Sequence, residues 1–205
     1  INEADGIMVA RGDMGVEIPQ ENVPIIQKQI IEKCREYGKT VITATQLLES
    51  MTVNPRPTRA EVNDVANAIF DGTSAIMLSG ETANGRYPVE SVKTMARIAE
   101  RTESAIDYKK RFKEYFFTEL FTSVTTAVSH AACTTASDLK AAGIIVVSKS
   151  GQTARMTSRY RPDTPIIGCS PLEKTCRQLN IVWGVTPVLI DEVDTIDRLI
   201  DGAVE

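Results

Sequence analysis

A chain of 205 residues, 42% hydrophobic and 24% charged, sits close to the averages of ordinary globular proteins and can bury one or two cores. Its formal charge of -4 excludes a broad nucleic-acid-binding face, which would have to be basic. The longest apolar runs are strand-sized and no leader pattern opens the chain, so neither a membrane span nor export is expected. Cys34, Cys133, Cys169 and Cys176 show neither C-x-x-C spacing nor a histidine partner, and reduced thiols in the cytoplasm are the expectation. The first residue is Ile1, and a charged segment leads straight into an apolar run, so the chain reads as a piece of something longer.

Ile7 to Ala10 predicts a fully buried strand of a parallel sheet. Arg11 and Asp13 follow, and Gly12 and Gly15 predict a sharp turn that lets the backbone approach a ligand. A carboxylate there can hold a hard divalent cation, and free N–H groups can receive an anion. The same R-G-D tripeptide also fits an integrin-like surface turn or a plain salt-bridged aspartate.

Glu21 to Tyr37 predicts a helix with an apolar stripe at Val23, Ile26, Ile30, Cys34 and Tyr37, stopped by Gly38. Thr40 to Ala44 predicts a second buried strand, with Thr45 and Gln46 at its end and a short helical piece through Met51. After the proline loop 54–58, Thr58 and Glu61 form a capping box opening a helix with its stripe at Val62, Val65, Ala66, Ile69 and Phe70. Ala75 to Leu78 predicts the third strand, Ser79-Gly80-Glu81-Thr82 its turn, and Pro88 to Glu103 the next helix.

The strands recur at intervals of about 34 residues, the spacing of βα units with right-handed crossovers. In such folds, barrel or open sheet, sites gather where strands meet the loops at their carboxyl ends. Arg11/Gly12/Asp13, Thr45/Gln46 and Ser79/Glu81 hold that place in three successive units, so one shared functional rim is expected.

Asp107 to Glu119 interleaves basic and aromatic residues and reads as a solvated inter-domain connection with aromatic anchors. A helix from Leu120 to about Ala142, a β-branched strand at Ile144–Val147 and a polar turn, Ser148 to Thr153, open a second pattern. Hydroxyls, a lysine and a glycine before a helix starting at Ala154 suit either a phosphate cradle or a plain helix cap, and no P-loop motif is present. Strands at Pro165–Cys169 and Val185–Ile190, and helices at Pro171–Gln178 and from Val193, complete a small three-layer α/β pattern. His130, in a helix without a visible partner, is expected either to pack in the core or to lie at the surface, and Trp183 to pack, with no chemistry assigned to either.

Four stretches, MVARGDMGVEIP (8–19), VITATQLLESM (41–51), PRPTRAE (55–61) and IMLSGETANGRYP (76–88), together resemble the second half of the catalytic barrel of pyruvate kinase. SKSGQTARMTSRYRPDTPIIG (148–168) is similar to the start of that family's regulatory domain. The implied fold is a partial (β/α)8 TIM barrel, strands six to eight, over residues 1–104, a linker over 105–119, and an incomplete α/β regulatory domain over 120–205.

The resemblance further implies a glycolytic phosphotransferase acting on phosphoenolpyruvate and ADP, giving pyruvate and ATP. Asp13 would be a Mg2+ ligand, Gly12 and Asp13 N–H groups would hold the substrate carboxylate, and Thr45 would line the pocket. Ser79 would lie on the proton path to the enolate, and Arg59 would reach across a subunit interface of a homotetramer. Ser148, Lys149, Ser150, Gly151, Gln152 and Thr153 would take the phosphate of a sugar-phosphate or nucleotide effector. Gln152 stands where some effector-responsive members have arginine. The family's phosphate-binding lysine, second metal carboxylate, K+ ligands and nucleotide lid find no match in this chain. The expectation is therefore an inactive piece with open strand edges and a tendency to self-associate. The alternative is a stand-alone sugar-phosphate-binding or subunit-interaction module.

Overall fold

The computed structural model describes residues 1–116 and 123–191. The expected helix from Val193, and the residues before 123 of the helix expected from Leu120, lie outside them. The chain forms two compact units, residues 1–106 and 107–205.

In the first unit β1 (Gly6–Ala10) runs straight into α1 (Arg11–Glu17), followed by a 3-10 turn at Gln20–Asn22 and α2 (Val23–Glu36). Next come β2 (Thr40–Ala44), a 3-10 turn at Glu49–Thr52, α3 (Arg59–Asp71), β3 (Ala75–Met77), the short α4 (Gly80–Ala83) and α5 (Pro88–Glu103). The strands are parallel in the order β1-β2-β3. Ala10 pairs with Ala44 and Ala44 with Met77, so the three carboxyl ends are level.

Burial follows position in the sheet. Four of the five β2 residues are buried, because β2 has a strand on each side. The expectation of a fully buried first strand is corrected: in β1 only Val9 is buried and Met8 is 51% exposed, because β1 is an edge among the described residues. Val9, Ile31, Cys34 and Val41 form one core cluster, and Leu47, Leu48, Met51, Val65, Ile69 and Met95 another.

The helix stripes are rotated from their expected places. On α2 Gln27, Ile31 and Cys34 are buried and Tyr37 is exposed. On α3 Val65, Ala68 and Ile69 face inward, leaving Val62 and Phe70 exposed. An apolar stripe wider than the contact allows either rotation, and packing chooses one. The capping box is present: Thr58 Oγ1 accepts from Glu61 N–H while Glu61 accepts from Thr58 N–H at 2.7 Å. Glu61 also accepts from Ser50 N–H and Ser50 Oγ, both at 2.6 Å, tying the 3-10 turn at Glu49–Thr52 to the start of α3.

The second unit begins with α6 (Tyr108–Phe116), inside the stretch read as a connection, then α7 (Val124–Leu139) capped by Ser123. It continues through β4 (Ile144–Val147), α8 (Gln152–Ser158), β5 (Ile166–Ser170), α9 (Glu173–Leu179) and β6 (Val185–Leu189), again parallel and in the order β4-β5-β6. Its core gathers Cys133, Val146, Ala154, Tyr160, Ile166 and Leu179. His130 stacks on Phe112 with ring centroids 5.0 Å apart, and Trp183 lies under Arg161 and beside Tyr108. Trp183 packs as expected from sequence, and of the two places left open for His130 the ring contact with Phe112 selects packing.

Burial raises the Glu61 carboxyl's pKa, but the hydrogen bonds from Ser50 and Thr58 outweigh it and hold the group below its ordinary 4.5. A depressed folded value stabilises the fold fully above the unfolded pKa and loses that contribution as pH falls through the folded one. The expected result is that the melting-temperature advantage of wild type over Glu61→Gln is constant near neutrality and shrinks as pH falls below the group's ordinary 4.5. Thermal unfolding of both proteins across pH, followed by circular dichroism, checks this.

Candidate functional site

The level strand ends put Arg11 to Asp13, Thr45 and Gln46, and Leu78 and Ser79 along one rim of the first sheet. The expected glycine turn after β1 is corrected. Arg11 already begins a helix, and neither Gly12 nor Gly15 has positive φ. The left-handed backbone lies instead at the end of β2, where Thr45 has φ 67° and Gln46 φ 55°. For a β-branched residue this is an outlier, and each such residue costs on the order of 1–3 kcal/mol.

Long-range hydrogen bonds hold that turn. Arg11 Nε donates to the carbonyls of Ala44 at 3.3 Å and Thr45 at 3.2 Å, and Arg11 Nη2 donates to the Thr45 carbonyl at 2.6 Å. Arg11 Nη1 is paired with Asp64 Oδ1 of α3 at 2.7 Å. Thr45 Oγ1 accepts from Gly12 N–H at 2.9 Å and donates to the Ala44 carbonyl at 2.7 Å. The β1 and β2 segments of the rim are thus joined directly. Asp13 is exposed, Thr45 is half-buried and Gln46 is exposed.

The third segment of the rim is joined through Glu81. This side chain is fully buried and accepts from Leu48 N–H at 3.0 Å and from Ser79 N–H at 2.8 Å, so one carboxylate bridges the turns after β2 and β3. Ser79 itself is half-buried, and its carbonyl accepts from Thr82 and Ala83 N–H at 3.2 and 3.0 Å. Arg59 is exposed at the first residue of α3, the helix that carries Asp64. Sequence reasoning placed Arg11 and Glu81 on the rim without giving them a task, and passed over Asp64. A charged residue facing inward from an exposed helix has no signature in one sequence.

In the second unit Gly151, with φ 74°, turns the chain into α8, which starts at Gln152 rather than the expected Ala154. A side chain at Gly151 would meet Thr175 at 3.0 Å and Leu179 at 3.2 Å, so the position needs glycine for space as well as for conformation. Thr175 Oγ1 donates to the Lys149 carbonyl at 3.0 Å, and Arg155 Nη1 donates to the Ser150 carbonyl at 3.0 Å. Ser150 Oγ accepts from Gln152 N–H at 3.4 Å. Lys149, Ser150 and Gln152 are exposed, while Ser148 and Thr153 are half-buried.

The four cysteines are free, and burial pushes the Cys133 thiol up to about 12, far from a thiolate at neutral pH. A cavity of about 670 Å3 runs along α3 and α5, past Arg56, Val62, Lys93 and Arg97, and no rim residue lines it. Among the described residues no three His, Cys, Asp or Glu side chains group to hold a metal, and no helix is long and apolar enough to cross a membrane.

Parallel βα units with a polar rim at the strands' carboxyl ends, followed by a separate parallel α/β unit, mark a barrel-type enzyme segment joined to an α/β domain. Residues 1–92 match the family model for the pyruvate kinase barrel domain, and residues 126–205 that for the pyruvate kinase alpha/beta domain. The chain belongs to the pyruvate kinase family. It is 54% identical over all 205 residues to the pyruvate kinase of Clostridium acetobutylicum and 52% identical over the same length to that of Geobacillus stearothermophilus. It spans 43% and 35% of those two proteins. A crystal structure of a pyruvate kinase from Cryptosporidium parvum matches with a TM-score of 0.93 at 43% identity, over 99% of this chain and 41% of that one.

Glu81→Gln keeps the shape but replaces one acceptor oxygen by a donor that faces Leu48 or Ser79 N–H. The expected outcome is a stability loss of about 1–3 kcal/mol, the cost of a buried unsatisfied pair. Denaturant unfolding of the two proteins side by side measures it.

Proposed function

We propose that this chain forms one side of the active-site mouth of a phosphotransferase that carries the phosphoryl group of phosphoenolpyruvate to ADP, giving pyruvate and ATP in glycolysis. The supporting observation is the direct hydrogen bond between Gly12 N–H and Thr45 Oγ1 on a rim of three level strand ends. It occurs in a chain 54% identical to a pyruvate kinase.

Asp13 offers an exposed hard oxygen donor, which suits Mg2+ but supplies only one of the roughly six ligands such an ion takes. The remaining ligands would come from substrate, water and residues not in this chain, as would those for K+. When bound, the metal spreads the charge that develops on the transferred group. Gly12 and Asp13 N–H groups hold the carboxylate of phosphoenolpyruvate or pyruvate. Because Gly12 N–H rests on Thr45 Oγ1, an arriving carboxylate takes over that donor and releases the threonine hydroxyl to line the pocket. Ser79 passes a proton toward the enolate carbon, and because a hydroxyl is too weak an acid to act alone, water completes the relay. Arg59, exposed at the start of α3, meets a second subunit in a homotetramer.

The test is a full-length pyruvate kinase whose matching segment is replaced by residues 1–205. Thr45→Val and Ser79→Ala are expected to lower kcat by about 100-fold or more, the usual worth of a positioned proton-transfer group, and Asp13→Asn to raise the Mg2+ requirement sharply. The 205-residue chain alone is expected to form no pyruvate in a coupled assay. Unchanged kcat in the first two variants, or magnesium-dependent turnover by the short chain, overturns the reading.

The exposed Lys149 and Ser150 beside the left-handed Gly151 favour a second role, a seat for the phosphate of a sugar-phosphate or nucleotide effector. A module that binds such phosphates without catalysis would use the same residues. Titration calorimetry with fructose bisphosphate and with AMP is expected to give binding heat that Lys149→Glu abolishes; no heat at millimolar ligand discards this role.

A further inference from the structure

Thr45 and Gln46 hold a backbone conformation that neither side chain favours, with φ 67° and 55°. Such a turn persists only where surrounding contacts outweigh its own preference. The side-chain donors that reach the carbonyls of Ala44 and Thr45 across the sheet come from one residue. The guanidinium of Arg11, whose side chain is 11% exposed, reaches the carbonyls of Ala44 and Thr45 on one edge and Asp64 on the other. The Thr45 carbonyl takes two of these donors, at 3.2 and 2.6 Å, so its direction is pinned, and with it the sense of the turn. The hydroxyl of the same residue then falls within 2.9 Å of Gly12 N–H.

From this geometry we propose that Arg11 and Asp64 are positioning residues: their ion pair locks the left-handed Thr45–Gln46 turn and thereby aims the Thr45 hydroxyl along the rim. The inference rests on the reading of Thr45 as a substrate-facing residue. Neither Arg11 nor Asp64 is given any contact with substrate. Asp64 orients the guanidinium from α3, and the guanidinium orients the turn. A planar fork is essential, because three acceptors lie on two sides of it. A lysine ammonium supplies charge but cannot reach all three in one plane. The Asp64 side chain is 36% exposed, so the acidic end of the pair is solvent-screened and its replacement is expected to leave the unit folded.

The measurement is made on this chain by NMR, using the three-bond amide-to-Hα couplings of Thr45 and Gln46, which report φ, and hydrogen exchange at Gly12. Arg11→Lys and Asp64→Asn are expected to move both couplings away from left-handed values. Gly12 exchange is expected to quicken about fivefold or more, the population change equivalent to one net hydrogen bond. Asp64→Glu restores part of both signals. Lys28→Gln, which breaks the separate Lys28–Asp71 pair, changes neither. Unaltered exchange at Val41 and Ile42 in β2 shows that the sheet is intact. Couplings and exchange equal to wild type in Arg11→Lys and Asp64→Asn overturn the lock, whatever the catalytic data show.

The kinetic arm uses the segment-exchanged full-length enzyme. Arg11→Lys is expected to lower kcat at least tenfold while KM for phosphoenolpyruvate changes less than threefold, the pattern of a mis-aimed group rather than a lost binding contact. Moved couplings with unchanged kcat overturn the positioning role. If Thr45→Val also leaves kcat unchanged, the failure lies in the reading of the mouth and not in the lock.

Discussion

The first unit depends on a bargain between backbone and one guanidinium. Two residues of β2's end adopt a conformation that costs free energy locally, and Arg11, 33 and 34 positions earlier in sequence, supplies the donors that offset it. Asp64, 53 positions from Arg11, keeps the fork in plane. Three distant segments meet at one planar group, so the rim forms only when β1, β2 and α3 are all in place. A local turn motif would not need that cooperation.

Level strand ends make this possible. In a parallel pair the register sets where every carboxyl end falls, and here Ala10, Ala44 and Met77 share one level. The polar residues that follow each strand then stand side by side although they are far apart in sequence. Glu81 does for the second and third turns what Arg11 does for the first and second. One is a cation reading carbonyls and the other an anion reading N–H groups. Both address main-chain atoms of the turns they join. The second unit repeats the parallel pattern, with Gly151 as the tight point between β4 and α8.

Much of the fold was legible because hydrophobic periodicity and turn chemistry are local properties. The strand at Thr40–Ala44, the capping box at Thr58 and Glu61, and the helix at Pro88–Glu103 were read directly from residue spacing. The errors share one physical origin. Met8 was read as buried because apolar character says what a residue prefers, not whether a neighbouring strand is there to cover it. Val62 and Phe70 were given the inner face of α3, but a broad apolar face can rotate, and the packing around Val65, Ala68 and Ile69 chose otherwise. Gly12 and Gly15 suggested a turn because glycine permits positive φ, yet permission is not requirement, and the strained backbone fell on Thr45 and Gln46.

The amino-acid sequence by itself determined the βα repeat, the family resemblance, and which polar residues would stand at the strand ends, because each of these is written in short-range pattern and spacing. Tertiary structure alone decided that Arg11 would clamp Thr45, that Asp64 would orient Arg11, and that Glu81 would be buried between two turns. Those choices depend on strand register and helix rotation, which arise from the packing of segments dozens of residues apart, and no local preference encodes them.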